Sequence, residues 1–182
     1  MKDTKIINLI SGPGVWKSVL ASLIFVHMKI KWFNIEYVSE YAKQLVWMKD
    51  FETLNNQHYI STQQFKLFKS MIWTVDYIIT DGALFHWLFY NRFNKENISN
   101  IEKTEDKILE YIKQFNNINI YLKRNPDFDY EQEGRIQTKE EALFVDQEIK
   151  KLLDLYEKNN YKEVISDVWK IDEIINIILN YN

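Results

Sequence analysis

The stretch Ser11-Gly12-Pro13-Gly14-Val15-Trp16-Lys17-Ser18 constrains this chain more than any other. It follows an apolar run, Ile6 to Ile10, and opens an amphipathic segment, which gives the order strand, tight glycine turn, helix. In such a turn successive backbone N–H groups line a concavity for phosphate oxygens, and the helix N-terminus adds partial positive charge. Gly12, Pro13, Gly14, Val15 and Trp16 are the expected cradle. Lys17 stands where a lysine bridges terminal phosphates, and Ser18 where a hydroxyl holds Mg²⁺. The pattern G-x-x-x-x-G-K-[ST] is broken by Ser11 and by Trp16. Ser11 is small and sits at a strand end. Trp16 is the serious departure, because glycine before the lysine lets the backbone approach the phosphates without a Cβ. An indole there must point out of the loop or displace the nucleotide.

A chain of 182 residues is read as one domain, 1–182, large enough to bury a substantial core. Its net charge is −3 and its basic residues are scattered, which argues against broad binding to duplex nucleic acid and leaves a short or flipped substrate open. With no cysteine, disulfides and thiolate zinc sites are excluded. The first five residues lead straight into a short strand, too short for a signal peptide's apolar region. No run approaches the roughly 18 apolar residues of a membrane span. The expected location is the cytoplasm, with no membrane partner. The abundance of Ile, Asn and Lys fits an AT-rich gene better than any physical demand.

Hydrophobic periodicity predicts strands at 6–10, 35–38, 75–80, 118–122 and 162–165. Helices are predicted over 17–29, 41–47 with Ser39 as cap, 50–73 with a break near Asn55-Asn56, 84–92, 103–115, 138–156 and 171–179. Thr138-Lys139-Glu140-Glu141 reads as a capping box. The polar segment 123–137 reads as a LID-like loop. Strands alternating with helices imply a three-layer α/β/α fold around a mainly parallel sheet of four or five strands, with 6–10 beside 75–80.

In such sheets ligands lie over the carboxyl ends of the strands, so the residues just after each strand are the candidates. This rule selects Lys17 and Ser18, Glu40, Asp81, and the loop between Arg124 and Arg135. Asp81 would hold Mg²⁺ with Ser18, the competing role being an N-cap for the next helix. Glu40 would serve as general base on a substrate hydroxyl, the competing role being a first-turn glutamate on the helix dipole. Arg124 and Arg135 would close over a transferring phosphoryl, since the guanidinium fork donates to two oxygens at once. Tyr41 and Trp47 are the aromatics best placed to stack on a base. Most of the aromatics, among them Trp32, Trp47, Trp73, Trp87 and Trp169, are expected to be core or helix-packing residues. His27, His58 and His86 show no metal spacing and read as structural.

The runs Asn8-Leu9-Ile10-Ser11-Gly12-Pro13-Gly14, Val38-Ser39-Glu40-Tyr41-Ala42-Lys43 with Leu45-Val46-Trp47, Ile79-Thr80-Asp81, and Gly134-Arg135-Ile136-Gln137-Thr138-Lys139-Glu140-Glu141-Ala142 together resemble a bacteriophage family of small P-loop kinases. That family is usually labelled AAA-type ATPase and is similar to the ribosylnicotinamide kinase domain of the NAD-biosynthesis regulator. The resemblance spans nearly the whole chain and departs from the family at Trp16. It implies an ATP- and Mg²⁺-dependent kinase of a nucleoside, nucleotide or nicotinamide riboside, encoded by a phage and working in the host cytoplasm. Two other functions stay open at this point. One is phosphorylation of a hydroxymethyl pyrimidine in DNA, which would have to be presented outside the stack. The other is a non-catalytic descendant that binds a nucleotide or a protein partner.

Overall fold

The computed structural model describes residues 3–130, 137–158 and 160–181. In chain order its elements are β1 (Lys5–Ile10), α1 (Lys17–Ile30), β2 (Ile35–Val38), α2 (Tyr41–Met48), α3 (Phe51–Leu54), α4 (Gln57–Met71), β3 (Tyr77–Thr80), α5 (Leu84–Phe93), α6 (Ile101–Ile112), β4 (Asn116–Lys123), α7 (Lys139–Glu157), β5 (Lys162–Ile165) and α8 (Ile171–Leu179), the last entered through a 3₁₀ turn, Val168–Lys170.

The strands lie in the order β2-β3-β1-β4-β5, and every pairing is parallel. β1 is the central strand and pairs with β3, as its position in the sequence pattern predicts. Its Ile6, Ile7, Leu9 and Ile10 are wholly buried, the near-continuous apolar run of a strand covered on both faces. Because successive side chains alternate across a strand, Ile6 and Ile10 join the layer that contains α2, α4, α5, α6 and α7. Ile7 and Leu9 join the opposite layer, with α1 and α8. The sheet is therefore the middle of three layers, and β1 delivers the turn after Ile10 to its carboxyl edge.

Boundaries moved where side chains cap a helix. α4 starts at Gln57 because the Asn56 side chain accepts from the Tyr59 N–H at 2.9 Å, which explains the break near Asn55-Asn56. α6 starts two residues earlier than expected because Asn100 accepts from the Lys103 N–H at 2.9 Å. Ser39 is not the cap of α2. The N-cap residue is Glu40, which makes no side-chain cap bond, and the Tyr41 N–H is satisfied from α4 by Gln64 Oε1 at 2.9 Å.

Of the tryptophans expected in the core or packed on helices, most are exposed. Trp87 is buried, whereas Trp32, Trp47, Trp73 and Trp169 are 95, 76, 56 and 86% exposed. Two of these sit in turns that point them outward. Trp32 follows α1 with φ 66°, and the bonds Phe33 N–H to Met28 O (3.1 Å) and Trp32 N–H to Lys29 O (3.0 Å) form a Schellman motif. Trp73 has φ 70° at the third position of a type II turn, after Ile72 at φ −57°, ψ 135° and closed by Thr74 N–H to Met71 O at 3.0 Å.

The capping box of α7 forms in both directions, with the Glu141 N–H donating to Thr138 Oγ1 at 3.2 Å and the Thr138 N–H donating to Glu141 Oε2 at 2.8 Å. Thr138→Ala should therefore destabilise the fold by about 1 kcal/mol in urea titration, and an unchanged midpoint would remove the cap from the helix's support.

Candidate active site

Between β1 and α1 the chain makes a tight turn that uses left-handed backbone twice. Gly14 takes φ 76° and Trp16 takes φ 50°, ψ 26°, both in the left-handed region. For a side chain as large as indole that conformation costs about 1–2 kcal/mol. It leaves the helix start intact, with the Leu20 N–H donating to Trp16 O at 2.9 Å. The indole lies outside the loop, stacked on Phe128 at 5.0 Å and 12° between ring planes. Tyr130 closes over Gly14, where an added Cβ would stand 2.5 Å from its ring.

Lys17 Nζ donates to the carbonyls of Ser11 (3.0 Å) and Gly12 (2.7 Å), folding the side chain back across the loop mouth. Burial lowers its pKa, while Glu40, Asp81 and Asp146 act in the other direction. Ser18 Oγ donates to Asp81 Oδ2 at 2.5 Å, and the other Asp81 oxygen accepts from the Glu40 N–H at 3.1 Å. Asp81 does not cap α5, whose N-cap residue is Ala83 and lacks a side-chain bond. Gly82 lets the β3 end approach α2, because a Cβ there would lie 2.5 Å from the Glu40 Cα. The Glu40 carboxyl is pushed up to about 7, first by burial and then by Asp81, against Lys17 and Lys43.

Arg124 leaves β4 and turns onto the loop. Its Nε donates to Asp146 Oδ2 at 2.5 Å, and a terminal nitrogen donates to Pro13 O (2.7 Å) and Ala142 O (3.3 Å). Asp146, on α7, also accepts from the Gly12 N–H at 2.6 Å. Burial raises its pKa against the pull of Arg124 and that N–H. From the far side the Ser11 N–H donates to His86 Nε2 at 3.4 Å, and burial beside Lys17 holds the His86 pKa well below its usual value, so the ring is neutral. Ser166, after β5, donates to Val15 O at 2.9 Å.

The structure thus gathers Lys17, Ser18, Glu40, Asp81 and Arg124 at one edge of the sheet, as the strand-end rule predicts. Trp47 lies two turns along α2 and is largely exposed, and Tyr41 packs edge-on to Tyr59 at 6.4 Å. Arg135 lies outside the described residues. Sequence reasoning missed Asp146, and it did not place His86 beside the loop. The signal for Asp146 was its place on the stripe Ala142, Ile149, Leu153, where a charge must find a partner. His86 is a structural histidine, as expected, but what it supports is the loop.

Among the described residues no group of three or more acids and histidines is placed to hold a metal. Ser18 and Asp81 nonetheless offer a hydroxyl and one carboxylate in contact, a donor set that suits Mg²⁺, which takes few protein ligands and completes its shell with phosphate oxygens and water.

No family model matches the chain. No curated protein matches it either. Solved structures do. A thymidylate kinase from Candida albicans superposes with TM-score 0.63 at 14% identity, covering 99% of this chain and 94% of that one. A deoxyadenosine kinase from M. mycoides, bound to dCMP and dCDP, gives 0.59 at 14%, covering 96% and 98%. A shikimate kinase from Bacteroides thetaiotaomicron gives 0.53 at 13%, covering 96% of each. The fold is that of the P-loop nucleoside, nucleotide and shikimate kinases. At such identities the likeness reaches the fold and stops there.

Gly82→Ala should force Glu40 and β3 apart at a cost of roughly 1–3 kcal/mol, read as a lowered denaturation midpoint. An unchanged midpoint would mean that the contact yields freely.

Proposed function

We propose that the chain is a Mg²⁺-dependent phosphotransferase that moves the γ-phosphoryl of ATP to a hydroxyl of a nucleoside, nucleotide or nicotinamide riboside. The observation that carries this reading is the convergence of Lys17, Ser18, Asp81, Glu40 and Arg124 at the mouth of one loop, on a fold shared with kinases. The resemblance to phage kinases supports a phage gene acting in a host cytoplasm. Among the described residues no helix is long and apolar enough to cross a membrane.

Lys17, now held by two loop carbonyls, swings its charge onto the terminal phosphates as they enter. The loop N–H groups from Gly14 to Ser18 hold the inner phosphates. Ser18 and Asp81 would hold Mg²⁺, which supplies charge neutralisation at the phosphate oxygens. Glu40 removes the proton from the attacking hydroxyl, and a carboxylate whose pKa lies near 7 suits that task. Arg124 neutralises charge on the transferring group, and Asp146 holds Arg124 against the loop until it does. Tyr41 and Trp47 would meet the acceptor, and Arg135 would close with the LID-like loop.

Lys17→Ala should reduce phosphoryl transfer by roughly 10²-fold or more in protein that a thermal melt shows to be still folded. Full activity would take Lys17 out of the site. Glu40 accepts a proton only when ionised, so turnover should rise with pH through about 7 and level above it. Glu40→Gln should lower turnover about 10²–10⁴-fold and abolish that limb. A pH profile in Glu40→Gln identical to the parent would assign the base elsewhere. Calorimetry with Mg²⁺ should show ATP binding between about 10 μM and 1 mM, and none at millimolar ATP with either tryptophan or glycine at position 16 would end the kinase reading.

A further inference from the structure

We infer that the natural polypeptide carries glycine, not tryptophan, at positions 16, 32 and 73, its gene encoding all three with the single codon UGA, which the native translation system reads as glycine. The three positions belong to different backbone motifs, and each of those motifs asks for glycine. Position 16 precedes the lysine of the phosphate-binding turn and takes φ 50°. Position 32 is the left-handed residue after the last turn of a helix, closed by the paired bonds to Met28 O and Lys29 O. Position 73 is the third residue of a type II turn, which requires positive φ. A bulky side chain at positive φ is an outlier, and here three of the six tryptophans are such outliers.

Two further observations point the same way. Trp32 and Trp73 are 95% and 56% exposed, so neither indole is held there by the core. The chain has 4 glycines, whereas ordinary usage of roughly 7% would give about a dozen. Among the described residues only Gly14 has positive φ as a glycine, against five residues of other types. Independent substitutions would scatter over many residue types, and the remaining two positive-φ positions, Lys49 and Lys158, are ordinary flexible side chains at helix ends. A shared tryptophan at three unrelated glycine positions calls for one shared cause. UGA is such a cause, because translation systems differ in reading it as stop, tryptophan or glycine. Read as glycine at position 16, it makes the turn Ser-Gly-Pro-Gly-Val-Gly-Lys-Ser, which meets the phosphate-binding pattern from its second half onward.

Peptide mapping by mass spectrometry of the protein purified from the cells that naturally make it reads each position directly, and the gene gives the codons. Glycine masses at all three positions, with UGA in the gene, are expected. A tryptophan mass or a UGG codon at any of the three overturns the inference. ATP binding by the Trp16→Gly, Trp32→Gly, Trp73→Gly triple variant separates this from the kinase reading. Glycine in the natural protein with no ATP bound by the variant leaves the inference standing and removes the kinase. Tryptophan in a natural protein that binds ATP does the reverse.

Discussion

The backbone of Gly12 joins most of what matters in this molecule. Its N–H is held by Asp146 of α7 at 2.6 Å, and its carbonyl by Lys17 of α1 at 2.7 Å. A Cβ at that residue would lie 2.6 Å from the Asp146 carboxylate and 2.8 Å from Ala142 O, so no larger residue lets α7 come so close. Arg124 then binds the same carboxylate and the next carbonyl in the loop, Pro13 O. The loop is thus fixed from both sheet layers, by α7 on one side and by Ser166 after β5 on the other. Buried charges of this kind stand only as a set. Removing one partner leaves the others desolvated and unpaired, at a cost of roughly 3–5 kcal/mol.

The fold was legible where local signals and global arrangement agree. The apolar run of β1, the glycine turn and the amphipathic α1 all state one answer, and the parallel sheet follows from alternating strands and helices. Glu40 and Asp81 were legible because chain direction in a parallel sheet puts every strand end on one edge. The hydrogen bond from the Glu40 N–H to Asp81 was not, since nothing in the order Val38-Ser39-Glu40 says that Gly82 allows contact between backbones. Asp146 was hidden for a different reason. A lone acid in a helix of many acids reads as solvated until the stripe it shares with Ala142, Ile149 and Leu153 is laid against the loop. The tryptophans misled because residue type argues for burial while backbone conformation decides exposure. Trp32 and Trp73 occupy turns whose geometry faces water whatever side chain they carry.

Charge at this edge of the sheet is paired within the protein. Lys17 is occupied by loop carbonyls, Arg124 by Asp146 and Pro13, and Ser18 by Asp81. Each of these cations and the Ser18 hydroxyl thus has a partner inside the protein. On the proposed function, binding would need only an exchange of partners within hydrogen-bond reach, with the donors already aimed.

The bond from Gly12 to Asp146 joins residues 134 positions apart, and that from Ser166 to Val15 spans 151. Contacts so distant in sequence close late, because loop entropy must be overcome before they form. As the chain emerges from a ribosome, β1 and α1 appear first but have no partners for the loop until β4, α7 and the turn after β5 follow. Everything as far as Ser166 must be synthesised before the turn after β1 can be held in shape, so a nascent fragment carries that glycine turn without the contacts that fix it.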